Sequence, residues 1–398
     1  MPDVYLTIRP AEQNLSHLWR TIFQKTVKGK EKRTALFTWT RVILKNTIRL
    51  TSNKNINWFK RNLMNYVDEI WYIPIWADKT TVSSSAASGQ KIIAVAQTTY
   101  RHFYAGRKVI IINPADSTSY ETGIIDTLTA IQITLTENLS ATWAAGSLIL
   151  PLYGFRLDPN QNILADLKNY QNIEFTSTEA FETVRTFTYT LPASGADTYQ
   201  SIDLFLQPFN GPIKYGYNRP YQKLQFIGIC NAYSDYDAGE NSMGINGSLM
   251  RSSRQEIWDT LNFFDSKMGR LSRFWVPTWS KDIVATLAIL ATATVIDTEN
   301  IEYTTYFLPN DVIGKYIYIQ FPDKTYVCRE ITGSTAISIT IDSQIGTAVS
   351  TSGLDKLTIS FLNLSRFDID QIDIDYQSKQ PDIAKTDLSF MGIVEETV

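Results

Sequence analysis

Histidine and cysteine are nearly missing from this chain, with two of each among 398 residues. Hydrolases built on Ser or Cys usually need a nearby imidazole base, and structural zinc sites need clustered His and Cys, so both chemistries are short of material. His17 and His102 are far apart in sequence, and no Gly-x-Ser-x-Gly elbow accompanies them. His102, inside Tyr100-Arg101-His102-Phe103-Tyr104, reads as a strand-edge or packing residue. Cys230 and Cys328 lack a Cys-x-x-Cys pattern and read as buried thiols. Neither a Gly-x-x-x-x-Gly-Lys-Ser/Thr loop nor a Gly-x-Gly-x-x-Gly turn is present to cradle phosphates. No catalytic residue, cofactor or metal is expected.

Charge is also scarce. Charged residues make up 19% of the chain, below the roughly 25% usual for soluble domains, and the net charge is −3. The main basic stretch is Lys25 to Lys32, with no long basic stripe, which argues against general nucleic-acid binding. No run reaches the roughly 18 apolar residues of a membrane-spanning helix, so membrane insertion is not expected. The start, Met1-Pro2-Asp3-Val4, shows no basic-then-apolar secretion signal, so synthesis and assembly in a cytoplasm are expected. What the chain has instead is 44% hydrophobic residues, with 21 Tyr and 19 Phe, a profile suited to sheets and interfaces. At roughly 150 residues per domain, two or three domains fit, and two is the working number.

Self-similarity is the strongest positive signal. Trp71-Tyr72-Ile73-Pro74-Ile75-Trp76 recurs as Phe274-Trp275-Val276-Pro277-Thr278-Trp279, 203 residues later. Thr129-Ala130-Ile131-Gln132-Ile133-Thr134-Leu135 recurs as Thr335-Ala336-Ile337-Ser338-Ile339-Thr340-Ile341 at an offset of 206, and Tyr120 matches Tyr326 at the same offset. Gly106-Arg107 and Gly314-Lys315 fall between, in the same order. Ahead of the first aromatic-proline segment, Ile56, Phe59, Leu63 and Val67 have helical spacing behind the candidate caps Ser52 and Asn53. Ahead of the second, Ile257, Leu261 and Phe264 follow a Ser253/Glu256 capping-box pattern, and Gly269 is placed to end the helix.

Short runs rich in β-branched residues follow each helix: Lys91 to Ala96, Lys108 to Asn113, Gln132 to Leu135, Ser147 to Leu150, Tyr316 to Phe321, Ser338 to Ile341 and Lys356 to Leu362. Between the repeats, Phe187 to Thr190, Leu204 to Leu206 and Lys223 to Asn231 read as strands, and Tyr233 to Gly247 as an exposed loop. Near the start, Leu15, Leu18, Trp19, Ile22 and Phe23 are spaced for one amphipathic helix. The expected fold is mainly β: two duplicated units, each a short helix plus an antiparallel β-barrel or sandwich, joined by a β-rich middle. The divisions are an N-terminal docking segment (1–29), a first unit (30–157), a connecting region (158–250) and a second unit (251–398).

Two acidic runs invite a cation reading. Asp368 to Asp375 alternates acid and apolar, which fits an amphipathic strand or bend with a solvated acidic face. Asp235 to Asn241 departs from the twelve-residue calcium pattern and reads as a loop. Carboxylates alone would also suffice for a wall-degrading glycosidase. The aromatic-proline strands could stack on sugars, but their recurrence with the fold favours a structural role for Trp71, Pro74, Trp76, Trp275, Pro277 and Trp279. Tyr215, Tyr217 and Tyr221 are the candidate ligand contacts.

Five segments together resemble a family of tail proteins of long-tailed bacteriophages and prophages, found at the tail tip or baseplate. They are Glu31-Lys32-Arg33-Thr34-Ala35-Leu36 with Arg41, Trp71 to Trp76, Tyr100 to Gly106, Trp143-Ala144-Ala145-Gly146 to Pro151, and Leu261 through Gly269 to Trp279. They span most of residues 30 to 280, and Thr40 stands before Arg41 where the pattern leads one to expect proline. The resemblance implies a non-enzymatic virion component, similar to a distal tail or baseplate hub protein. Such a component forms a three- or six-fold ring with itself and links the tail tube to hub, fibre or other host-recognition parts. The alternative is a receptor- or carbohydrate-binding module at the same tip.

Overall fold

The computed structural model describes residues 4–25, 31–158, 162–165, 171–180, 195, 197–218, 222–225, 231–234, 242–299, 303, 314–377 and 380–393. The protein is mainly β, with extensive antiparallel pairing.

Strands β1 (Val4–Tyr5), β2 (Glu12–Leu18), β3 (Thr21–Lys25), β4 (Glu31–Ala35) and β5 (Arg41–Leu50) precede helix α1 (Asn53–Tyr66). Then come β6 (Trp71–Pro74), β7 (Thr80–Thr81), β8 (Ile92–Ala94), β9 (Lys108–Asn113) and β10 (Asp116–Thr129). The first half ends with β11 (Gln132–Leu135), β12 (Leu148–Leu157), β13 (Asn162–Ala165) and β14 (Gln171–Glu179). The second half begins with β15 (Thr198–Tyr199), β16 (Ile202–Asp203), β17 (Lys214–Asn218), β18 (Gln222–Gln225), β19 (Asn231–Ser234) and β20 (Ser242–Arg251). Helix α2 (Arg254–Ser266) follows, then β21 (Phe274–Pro277), β22 (Val295–Asp297), β23 (Tyr316–Gln320) and β24 (Tyr326–Thr335). Last are β25 (Ser338–Ile341), β26 (Thr358–Phe367), β27 (Gln371–Gln377) and β28 (Gln380–Gly392).

Both helices start where the sequence places them. The Ser52 hydroxyl accepts from the Asn55 N–H and the Ser253 hydroxyl from the Glu256 N–H, each satisfying one donor that a helix start leaves unpaired. The Glu256 carboxylate turns back to the Ser252 N–H at 2.9 Å rather than to the cap residue itself. α2 ends at Ser266 with Lys267 as its cap, two residues before the expected Gly269. Met268 (φ +54°) and Gly269 (φ +61°) turn the chain away, and a Cβ at Gly269 would lie 2.8 Å from the Asp370 carboxylate and 3.2 Å from Trp19, so only glycine fits there.

In the first half β5 pairs with β2 and β14, β14 with β13 and β12, and β12 with β6 and β9. From β9 the ladder runs through β10 and β11 to β8. The pairing of β12 with β7 and the Val82–Val95 bridge return it to its start. In the second half β20 pairs with β17 and β28, β28 with β27 and β26, and β26 with β21 and β23. That ladder runs from β23 through β24 and β25 to β22, and the Ile283–Ile359 and Ala285–Thr298 bridges bring it back to β26. Each helix covers an apolar sheet face: Phe59 of α1 meets Trp71 and Phe175, while Phe263 and Phe264 of α2 meet Phe274 and Phe367. The halves join where β2 pairs antiparallel with β27, from Asn14 opposite Asp375 to Leu18 opposite Gln371.

Several expectations need correction. Leu15 to Phe23 form no helix. β2 is a strand held on both edges, by β5 and β27, and β3 forms a hairpin with β4 that leaves Ile22 and Phe23 exposed. Ser242 to Gly247, read as loop, belong to β20, paired on both sides. Leu204 to Leu206 form only one parallel bridge, Leu204 to Trp275. The segment Lys223 to Asn231 divides between β18 and β19, which pair with each other. Phe187 to Thr190, Asp235 to Asn241, Tyr221 and Cys230 lie outside the described residues.

Candidate functional site: a buried histidine pair between the halves

The two histidines of the chain meet. β2 carries His17 to the junction, and the segment before β9 carries His102, bringing their Nε2 atoms within 3.0 Å. The Nδ1 of His17 lies 2.8 Å from Asp265 of α2, and the Nδ1 of His102 lies 2.5 Å from Asp78. Beyond Asp78 the chain of contacts reaches Arg254, at the first turn of α2, at 2.9 Å, and Arg254 also contacts Asp382 at 3.2 Å. Trp19 donates its indole N–H to Asp265. The Trp258 ring stands edge-on to His102, and the Arg254 guanidinium lies over Tyr376. An unbroken row Asp265–His17–His102–Asp78–Arg254 therefore runs from α2 of the second half through three residues of the first half and back to α2.

The geometry sets the proton count. With each Nδ1–H donating to its carboxylate, a single further proton bridges the two Nε2 atoms, and the pair carries one positive charge between two carboxylates. A second bridging proton would set two N–H groups against each other at 3.0 Å. Burial alone would lower the His17 pKa, but the facing Asp265 outweighs it and raises the imidazole above its ordinary value. Burial alone would raise Asp78; His102 and Arg254 outweigh it and hold the carboxylate well below the usual range.

All four acid and imidazole side chains are sealed, none of the residues more than 4% exposed. Every imidazole nitrogen is engaged within the row, so none is left to take a proton from a substrate. What the row can do is clasp. Breaking it leaves buried charges unpaired, a large penalty. Further clasps cross the same junction. Asp370 accepts from the N–H of Thr21 across it, as well as from that of Arg270 within the second half, and Arg366 grips Glu31 through two bonds of 2.8 and 3.0 Å.

The candidates from the sequence fall elsewhere. Trp71, Pro74, Trp275 and Pro277 are buried, with Trp71 and Trp275 in separate cores. Trp76 and Trp279 are half-buried; the Trp76 N–H donates to Gln13, and Trp279 sits edge-on to Tyr318 at φ +60°. Tyr215 is anchored through its hydroxyl to the Thr278 carbonyl and the Ser280 hydroxyl, whereas Tyr217 is 74% exposed. Ile372 and Ile374 of β27 are buried while Asp373 and Asp375 face outward, as the alternating pattern predicts. Cys328 is a buried free thiol, pushed up to about 12 by burial.

Among the described residues no group of three His, Cys, Asp or Glu side chains is arranged to hold a metal ion, and no helix is long and apolar enough to cross a membrane. An open groove on the first half, lined by Ser84, Ser85, Gln90, Lys91 and Ile92, has Lys91 as its one charged wall, already donating to the Thr136 carbonyl. The histidine row escaped the sequence reading because its members come from four segments with no common spacing. The one signal available was that a buried imidazole needs a partner. No protein-family model matches the chain, and no curated protein matches its sequence.

Proposed function

We propose that this chain is a non-enzymatic structural component of a bacteriophage tail tip or baseplate, built from two copies of one helix-plus-β unit and assembled into a ring with itself. The observation that carries the reading is the recurrence of pairings. β2–β5, β5–β14, β12–β14, β6–β12, β9–β12 and β8–β11 have counterparts in β17–β20, β20–β28, β26–β28, β21–β26, β23–β26 and β22–β25. The hairpins β3–β4 and β18–β19, and the parallel contacts Tyr5–Tyr72 and Leu204–Trp275, correspond as well. A chain of two like units joined edge to edge is suited to continue the same contact around an axis, because head-to-tail contacts close when the rotation permits.

The sealed histidine row supports a structural rather than a catalytic role, since its nitrogens serve the junction. On this reading the protein acts in the virion at the tail tip, after assembly in the host cytoplasm, with the tail tube on one side and hub, fibre or other host-recognition proteins on the other. Light scattering and negative-stain electron microscopy of the purified protein test it. Closed rings of three or six copies are the expected result, and a strict monomer at all concentrations would overturn ring assembly.

A further inference from the structure

Among the described residues, the junction inside the chain leaves two matching edges without a second partner strand. β2 is held between β5 and β27, and its residues Leu15, Ser16 and His17 are at most 4% exposed. β17 occupies the same place in the second half, yet among the described residues it pairs with β20 alone, and Lys214, Gly216 and Tyr217 are exposed. β13 occupies the place of β27, and among the described residues it pairs with β14 alone. A strand edge with unpaired N–H and C=O groups is a template for another strand.

The registers fix which residues correspond. Leu15 faces Leu44 as Tyr215 faces Ile245, and His17 faces Val42 as Tyr217 faces Met243. The caps Ser52 and Ser253 are separated by the same interval as Leu44 and Ile245. Met64 lies twelve residues after its cap, as Asp265 lies twelve after its own. Within the chain His17 touches Asp265 across the junction. The places of those two residues at the open ends are held by Tyr217, 74% exposed, and Met64, 85% exposed. Two of the most exposed large apolar side chains therefore stand where the internal contact, repeated once, would bring them together. Methionine against an aromatic ring is a favourable pair.

We infer that a second copy of this chain occupies these edges: β17 of one copy pairs antiparallel with β13 of the next, and Tyr217 packs on Met64 of that copy. This deepens the ring reading and rests on it. Carrying over the pairs Asn14–Asp375, Leu15–Ile374 and Ser16–Asp373 puts Lys214 opposite Leu164, Tyr215 opposite Ile163 and Gly216 opposite Asn162 of the neighbouring copy. Each chain brings two units, so a closed ring holds an even number of them. The two kinds of junction alternate, one sealed by charged hydrogen bonds and the other by an apolar contact.

The test uses the full chain. Gly216→Cys has room, since no atom lies within 4 Å of a Cβ there. Combined with Asn162→Cys and oxidised, it is expected to give covalent multimers on a denaturing gel, while either single variant gives at most dimers. Ser16→Cys with Asp373→Cys is the control, closing within one chain without raising its mass. Tyr217→Glu and Met64→Glu are each expected to shift the assembled species to monomer in light scattering. Because both side chains are exposed, the thermal midpoint of the monomer should stay where it was. Rings that persist in both glutamate variants, without cross-linking at 216 and 162, would overturn this strand pairing while leaving ring assembly standing. A wild-type chain that stays monomeric would overturn both, and leave the β17 edge to a strand from a different protein.

Discussion

Helices α1 and α2 start from the same kind of serine cap and turn residues inward at the same intervals, Ile56, Phe59 and Leu63 against Ile257, Thr260 and Phe264. Yet α2 buries seven residues, Arg254 and Asp265 among them, while α1 buries only Ile56 and Phe59. The difference lies in what covers them. The far side of α2 is roofed by β2 with His17, and by His102 and Asp78, which belong to the other half of the chain. Among the described residues α1 has no such roof, and Met64 and Trp58 face outward. Like local sequences thus give like helices, while neighbours from distant sequence decide how much of each is buried.

The sharpest way to break this comparison is to remove the roof of α2. Asp78→Ala strips Arg254 and His102 of their shared buried partner and should cost about 3–5 kcal/mol, read as a lowered midpoint in chemical denaturation. A comparable loss from Asn53→Ala, at the place of Arg254 on α1, would show that the helices do not differ in this way. Next come the cores beneath the helices. Trp71→Ala and Trp275→Ala each empty a fully buried site and should each cost about 3–5 kcal/mol, and a near-neutral result in either half would remove that tryptophan from its core.

The histidine row predicts a pH dependence that belongs to the junction alone. His17 has a folded pKa raised above its ordinary value, so its contribution is full below the unfolded value of about 6.5 and is lost as pH rises through the folded one. Asp78 has a lowered folded pKa, so its contribution is full above the unfolded value of about 3.9 and is lost as pH falls. Thermal stability should therefore fall from near pH 6.5 towards alkaline pH, and His17→Asn should flatten that fall. An unchanged slope would show that the proton bridge contributes nothing. The smallest effects are at the caps. Ser52→Ala and Ser253→Ala should each cost about 1 kcal/mol, in helical content and melting alike, because the same bond is lost in both halves.

Much of the fold was legible before the structure. β9, β11 and β25 begin and end at the residues the β-branched runs mark, and both helices start at the expected serines. The failures share a cause. Leu15, Leu18, Trp19, Ile22 and Phe23 have helical spacing, but β2 is enclosed on both edges, so its buried residues Leu15, Ser16 and His17 are consecutive and follow no alternation. Ser242 to Gly247 look like loop because they are polar and glycine-rich. In β20 those glycines admit close neighbours: a Cβ at Gly247 would come within 2.5 Å of the Phe209 ring.

By itself the sequence determined the β content, the two capped helices, the burial of Trp71 and Trp275 and the outward acids of β27, since each rests on periodicity or side-chain chemistry within a few residues of chain. Only the tertiary structure decided that His17 meets His102, that Asp78, Asp265 and Arg254 complete their row, and that β2 is held on both edges while β17, among the described residues, pairs with β20 alone. Those contacts join residues 24 to 357 positions apart, and no local pattern encodes which distant strand will satisfy an edge or a buried charge.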